Sequence, residues 1–188
     1  MAKKRSRNID EIIKNKWLVE FNRKPLAKHP LYGFVIGCSN EFTLIHQFDR
    51  DLFNLDGYCV FPNKDVKNHA VYDDESYFLS EVVRVNKLMP KARSDISIVN
   101  WEEVVRTVGN KYRFLVVETE RLHKNECYIG EVKEIRKKSF ILRAVDTDAS
   151  WYDTVDKYKY SDLTMIKFGG RYEETLALVN REREAKES

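Results

Sequence analysis

Leu31-Tyr32-Gly33-Phe34-Val35 and Tyr128-Ile129-Gly130-Glu131-Val132 carry one pattern, a glycine set among aromatic and aliphatic residues, and the two glycines lie 97 positions apart. Phe140-Ile141-Leu142 follows Phe42-Thr43-Leu44 at a displacement of 98, and Asp146 and Asp148 stand where Asp49 and Asp51 stand. Tyr158-Lys159-Tyr160-Ser161-Asp162-Leu163 echoes Phe61-Pro62-Asn63-Lys64-Asp65-Val66, again at 97. One matched glycine or aspartate would mean nothing. Four features in order at nearly one spacing predict a tandem duplication.

Around each copy the hydrophobic period is two. Tyr32–Ile36 and Glu41–Phe48 read as strands about a Gly37-Cys38-Ser39-Asn40 turn, and Gly57–Phe61 and Val66–Tyr72 as two more. Short strands with frequent turns suggest a small barrel or sandwich. Ahead of them, Asp10 is placed to cap a helix from Glu11 to about Phe21, with Ile9, Ile12, Ile13, Trp17 and Phe21 near one face. Between the copies, Glu75–Lys87 reads as a helix. Asn100 with Glu103 has capping-box spacing before a helix Trp101–Val108, and Tyr112–Thr119 reads as a strand. A terminal helix from Glu173 to about Glu184 closes the chain, with Leu176, Leu178 and Val179 as its apolar contribution.

The 188 residues suit one ordinary domain or two very small ones. A content of 43% hydrophobic and 12% aromatic residues excludes global disorder, and 7 Gly with 4 Pro excludes collagen-like or linker chains. The net charge of +3 conceals an uneven distribution: residues 1–30 are net +6, residues 31–77 net −5, residues 78–125 net +3 and residues 126–188 net −1. Attraction for a polyanion is thereby expected at the N-terminal arm rather than at the acidic first copy. Cys38, Cys59 and Cys127 are too few and too scattered for a disulfide framework. No apolar run resembles a signal peptide or a bilayer span, so a cytoplasmic location and no membrane partner are expected.

The pattern Gly-x-Val, Phe-x-Leu, acidic loop, aromatic, then Asp-Leu-Thr-x-Ile-x-Phe-Gly-x-x-Tyr rests on Gly33, Phe42, Leu44, Gly57, Tyr58 and Asp65. In the second copy it rests on Gly130, Phe140, Leu142, Asp162, Thr164, Ile166, Phe168 and Tyr172. Over roughly residues 31–180 it resembles a set of uncharacterised bacterial proteins that carry a duplicated Sm-like small β-barrel. The resemblance implies a mainly β, α+β architecture: two tandem Sm-like barrels joined by a helical middle segment. Its parts are a basic arm and helix (1–30), a first barrel (31–77), a helical and strand connector (78–125), and a second barrel with a C-terminal helix (126–188). It implies no activity. Sm-type RNA loops have the form Phe-Asp-x-x-x-Asn-Leu; here Phe48-Asp49 and Asn54-Leu55 are more widely spaced, and the second copy has no Asn-Leu.

The residues offer little catalytic chemistry. Cys38, His46, Cys59 and His69 lack the short knuckle spacings of structural zinc, and the acidic loops around Asp49 and Asp146 lack the calcium-loop pattern. There is no nucleophile elbow and no phosphate-binding glycine loop, and Cys127 with His123 does not make a catalytic pair on a strand. The chain therefore reads as non-catalytic, without metal, cofactor or small-molecule substrate. Exposed aromatics at Tyr58, Trp151, Tyr152 and Tyr160 are expected to meet a protein partner or a second copy. The alternative is nucleic-acid contact, RNA above all, through Lys3, Lys4, Arg5, Arg7, Lys137 and Lys138.

Overall fold

A computed structural model describes residues 7–187, which fall into two compact units, one ending at Ser94 and the other beginning at Asp95. The fold is mainly antiparallel β with four helices, an α+β arrangement.

In the first unit, Asn8 rather than Asp10 caps helix α1 (Ile9–Asn15), its side chain accepting from the Asp10 N–H at 3.0 Å. Lys16 takes the left-handed conformation at φ 52° and stops the helix. The helix expected to reach Phe21 therefore ends at Asn15, and Leu18–Asn22 is strand β1. Strands flank β1 on both sides, and this pairing overrides the helical spacing of Trp17 and Phe21. Strands β2 (Leu31–Cys38), β3 (Phe42–Asp49) and β4 (Asn54–Pro62) follow as a meander. A 3₁₀ turn, Asn63–Asp65, then leads into β5 (Asn68–Tyr72) and helix α2 (Phe78–Val85). The pairing order is β5-β1-β2-β3-β4. Leu79 of α2 closes a cluster with Leu18, Tyr32, Phe34 and Phe48.

The second unit repeats this plan. Helix α3 (Trp101–Gly109) begins at Asn100, whose side chain accepts from the Glu103 N–H at 2.9 Å, as the capping-box spacing predicts. Strands β6 (Leu115–Glu118), β7 (Cys127–Arg136), β8 (Ser139–Val145) and β9 (Trp151–Lys159) precede a 3₁₀ turn (Tyr160–Asp162), strand β10 (Met165–Phe168) and helix α4 (Arg171–Glu187). Their order is β10-β6-β7-β8-β9. Helix α4 packs through Leu176 and Ala177 against Phe114, Val145 and Ala149, while Leu178 and Val179, expected in the core, are exposed.

The two units share irregularities as well as strand order. The β2–β3 ladder slips between Val35 and Gly37 and the β7–β8 ladder between Val132 and Glu134, 97 residues on. The β3–β4 slip lies between His46 and Phe48, and the β8–β9 slip between Arg143 and Val145, again at 97. Bulges re-aim a strand locally, so a shared bulge is a shared bend. Gly33 and Gly130 serve the same end. A Cβ on Gly33 would lie 2.7 Å from the His46 carbonyl oxygen, and one on Gly130 would lie 2.2 Å from that of Arg143. The displacement of 98 at Phe140 is one residue out, because the ladders place Ser139 where Phe42 stands.

Neither unit is a closed barrel. The 3₁₀ turn carries the chain from one end of the order to the other, where β5 pairs with β1 and not with β4. In the same way β10 pairs with β6 and not with β9. A five-residue β5 and a four-residue β10 leave little backbone with which to close the loop.

Candidate interaction surface

The expected contact residues have separate fates. Lys3, Lys4 and Arg5 lie outside the described residues. Arg7 is committed within the first unit: its Nε and Nη2 donate to Asp73 Oδ2 at 2.8 and 2.6 Å, Nη1 reaches Glu11, and its guanidinium lies over the Trp17 ring. Tyr58 is buried rather than exposed. Its ring stacks on His46 with centroids 4.5 Å apart, and the Arg93 guanidinium lies 4.9 Å above it. His46 Nδ1 accepts from the Lys91 backbone N–H at 3.2 Å, tying the segment after α2 to β3. Burial, with Lys91 and Arg93 close by, pushes His46 down to about 4, so the ring is neutral and fit to accept.

The second unit presents the exposed surface. Strand β9 pairs on one side only, with β8, and seven of its nine residues are exposed. Tyr152 and Val155 stand 48% and 54% open, on a strand whose outer edge carries no ladder among the described residues. Trp151, by contrast, is half-buried and held from several sides. Its ring packs edge-on against Phe114 at 5.6 Å and receives Arg143 at 4.6 Å, Lys133 at 5.6 Å and Arg113 at 5.7 Å. Trp151 Nε1 donates to Glu184, which also accepts from Arg113; these two contacts hold the Glu184 carboxyl below its ordinary range. Trp151 thus anchors α4 to the sheet.

Lys137 and Lys138, at the β7–β8 turn, are joined by lysines that the sequence placed far away. Lys157, Lys159, Ser139, Tyr160 and Ser161 complete an open hollow of about 460 Å³ without a carboxylate in its lining. The Ser139–Lys159 register of the β8–β9 ladder brings the two lysine pairs together. Tyr160 also ends a row of rings: Tyr128 to Tyr158 at 5.7 Å, Tyr158 to Phe140 at 5.6 Å, and Phe140 to Tyr160 at 6.0 Å. Tyr160 Oη is buried without a hydrogen bond, and burial, with Glu102 near it, pushes the phenol up to about 12.

The two acidic loops are occupied locally. Asp49 Oδ1 accepts from the N–H groups of Asp51 and Leu52, and Asp148 Oδ1 accepts from Ser150 N–H and Oγ–H, so both acidic loops close their own turns. Cys59 is buried while Cys38 is exposed, and the described residues hold no group of three or more His, Cys, Asp or Glu placed to bind an ion. Burial and Glu118 raise the Cys127 thiol, which lowers its thiolate fraction. In the first unit an apolar hollow of about 310 Å³ is lined by Ile12, Val19, Phe21 and Val35 and rimmed by Cys38, Asn63 and His69. Among the described residues no helix is long and apolar enough to cross a membrane. Compared with family models, curated proteins and solved structures, the chain matches none.

Proposed function

We propose that the chain is a non-catalytic interaction protein, built of two copies of an open, Sm-like five-stranded unit, and that it engages a protein through the outer edge of β9. The Sm-like reading is supported by a common order of helix, four strands, 3₁₀ turn and fifth strand, with bulges repeated at 97 residues. The interaction reading is carried by one observation: a nine-residue strand with an open edge and with Tyr152 and Val155 exposed on it. Natural proteins blunt or cover such edges, and a long uncovered one is a template for an added strand. Affinity capture from the native cell lysate tests this, comparing the unaltered chain with a Tyr152→Lys, Val155→Lys double variant. A protein retained by the first and lost by the second is expected; identical retention by both removes β9 from the account.

A second reading rests on the lysine hollow. Four ammonium groups around one concavity without a carboxylate offer charge to a phosphate chain. A mobility shift with single-stranded RNA that weakens steeply with salt, and disappears in a Lys137→Glu, Lys138→Glu variant, is the expected result. No shift at low salt removes this reading.

A further inference from the structure

The charge order of β9 suggests what covers its edge. We propose that the partner is a second copy of this chain, paired antiparallel, β9 to β9, about a two-fold axis through Val155; this rests on the β9-edge reading above and names its occupant. Trp151-Tyr152-Asp153-Thr154-Val155-Asp156-Lys157-Tyr158-Lys159 is complementary to itself when reversed about its central residue. In that register Val155 meets Val155, and Asp153 of each copy meets Lys157 of the other, so the exchange occurs twice. Tyr152 meets Tyr158, and Trp151, whose ring is already held within its own unit, meets Lys159. Asp153 and Lys157 are both exposed and so stand available for the contact.

The neighbouring registers fail for stated reasons. A slip by one residue opposes inner-face to outer-face side chains and turns one copy over. A slip by two in one direction places Asp156 against Asp156 at the axis. In the other direction it dissolves both Asp–Lys pairs. Opposite charges directly across a strand pair are stabilising and like charges destabilising, so the sequence itself selects the register. The ladder to β8 is regular from Val155 to Lys159 and irregular between Trp151 and Val155, so each copy sets its irregular half against its partner's regular half. Such an interface is isologous and closes at two copies.

Sedimentation equilibrium on four samples tests the proposal: the unaltered chain, Asp153→Lys, Lys157→Asp, and an equimolar mixture of the two variants. The unaltered chain is expected to dimerise reversibly. Each single variant places two like-charge pairs across the axis, and its dissociation constant is expected to rise about tenfold or more. In the mixture the substituted charges oppose one another, and dimers return as heterodimers. A chain that stays monomeric at its highest soluble concentration overturns the proposal, as does a dimer that ignores both reversals. In either case the broader reading of β9 stands or falls separately, on whether Tyr152→Lys with Val155→Lys still abolishes capture of a different protein.

Discussion

Strands β4 and β9 occupy the same place in their units, each joined to its predecessor by a bulged ladder and followed by a 3₁₀ turn. Yet the last six residues of β4 are all buried, while seven of the nine in β9 are exposed. At a displacement of 97, Tyr58 corresponds to Val155, Cys59 to Asp156, Val60 to Lys157 and Pro62 to Lys159. The backbone plan is common to the two strands and their side-chain chemistry is not. In the first unit the segment at Lys91 and Arg93 lies against His46 and Tyr58. In the second, charges on β9 keep that strand in water and leave its edge open. The two strands share a backbone plan, and their side chains differ according to whether the strand is covered or meets solvent.

The sharpest challenge to a shared skeleton is to fill its close approaches. Gly130→Ala would force a Cβ to within 2.2 Å of the Arg143 carbonyl and 2.8 Å of Ala144 Cα, both backbone, and should destabilise by more than about 3 kcal/mol, beyond ordinary overpacking. Gly33→Ala should cost less, because its nearest obstacle is the end of a side chain, Ile45 Cδ1. Thermal unfolding of the two variants checks this; equal, small losses would mean that the glycines are not doing equivalent jobs. Next in size is the contrast between tyrosines. Tyr58→Ala empties a stacked, buried position and should cost about 3 kcal/mol, whereas Tyr152→Ala, on an exposed strand, should stay within about 0.5 kcal/mol. Urea titrations that ranked Tyr152 above Tyr58 would reverse the assignment of covered and open strands.

A further contrast is the pH dependence that His46 gives the first unit. The folded-state value of His46 lies near 4, below its ordinary 6.5, so the unfolded chain takes up the proton first. Its contribution to stability is complete above about pH 6.5 and is lost as pH falls toward about 4. The difference in denaturation midpoint between the unaltered chain and His46→Gln should therefore shrink across that interval. A difference that stays constant with pH would show that His46 does not act through its neutral form.

Legibility differed by element for physical reasons. The Asn100 cap could be read because a capping box is local, fixed by four successive residues. The sequence pattern carries α1 on to Phe21 because Trp17 and Phe21 satisfy a helical period as well as a strand's; two flanking strands decide for β1. Tyr58 looks like any strand aromatic until Arg93, far along the chain, is seen above it. Lys137 and Lys138 could be named, but Lys157 and Lys159 join them only through the β8–β9 register.

The repeated sequence pattern, the Asn100 cap and the charge order along β9 are properties of neighbouring residues, and the sequence alone determined them. Whether each copy closes, which aromatic is covered, and that four lysines share one hollow depend on contacts between residues distant in the chain. Tertiary structure decided these, because strand pairing and burial are set by partners that no local pattern encodes.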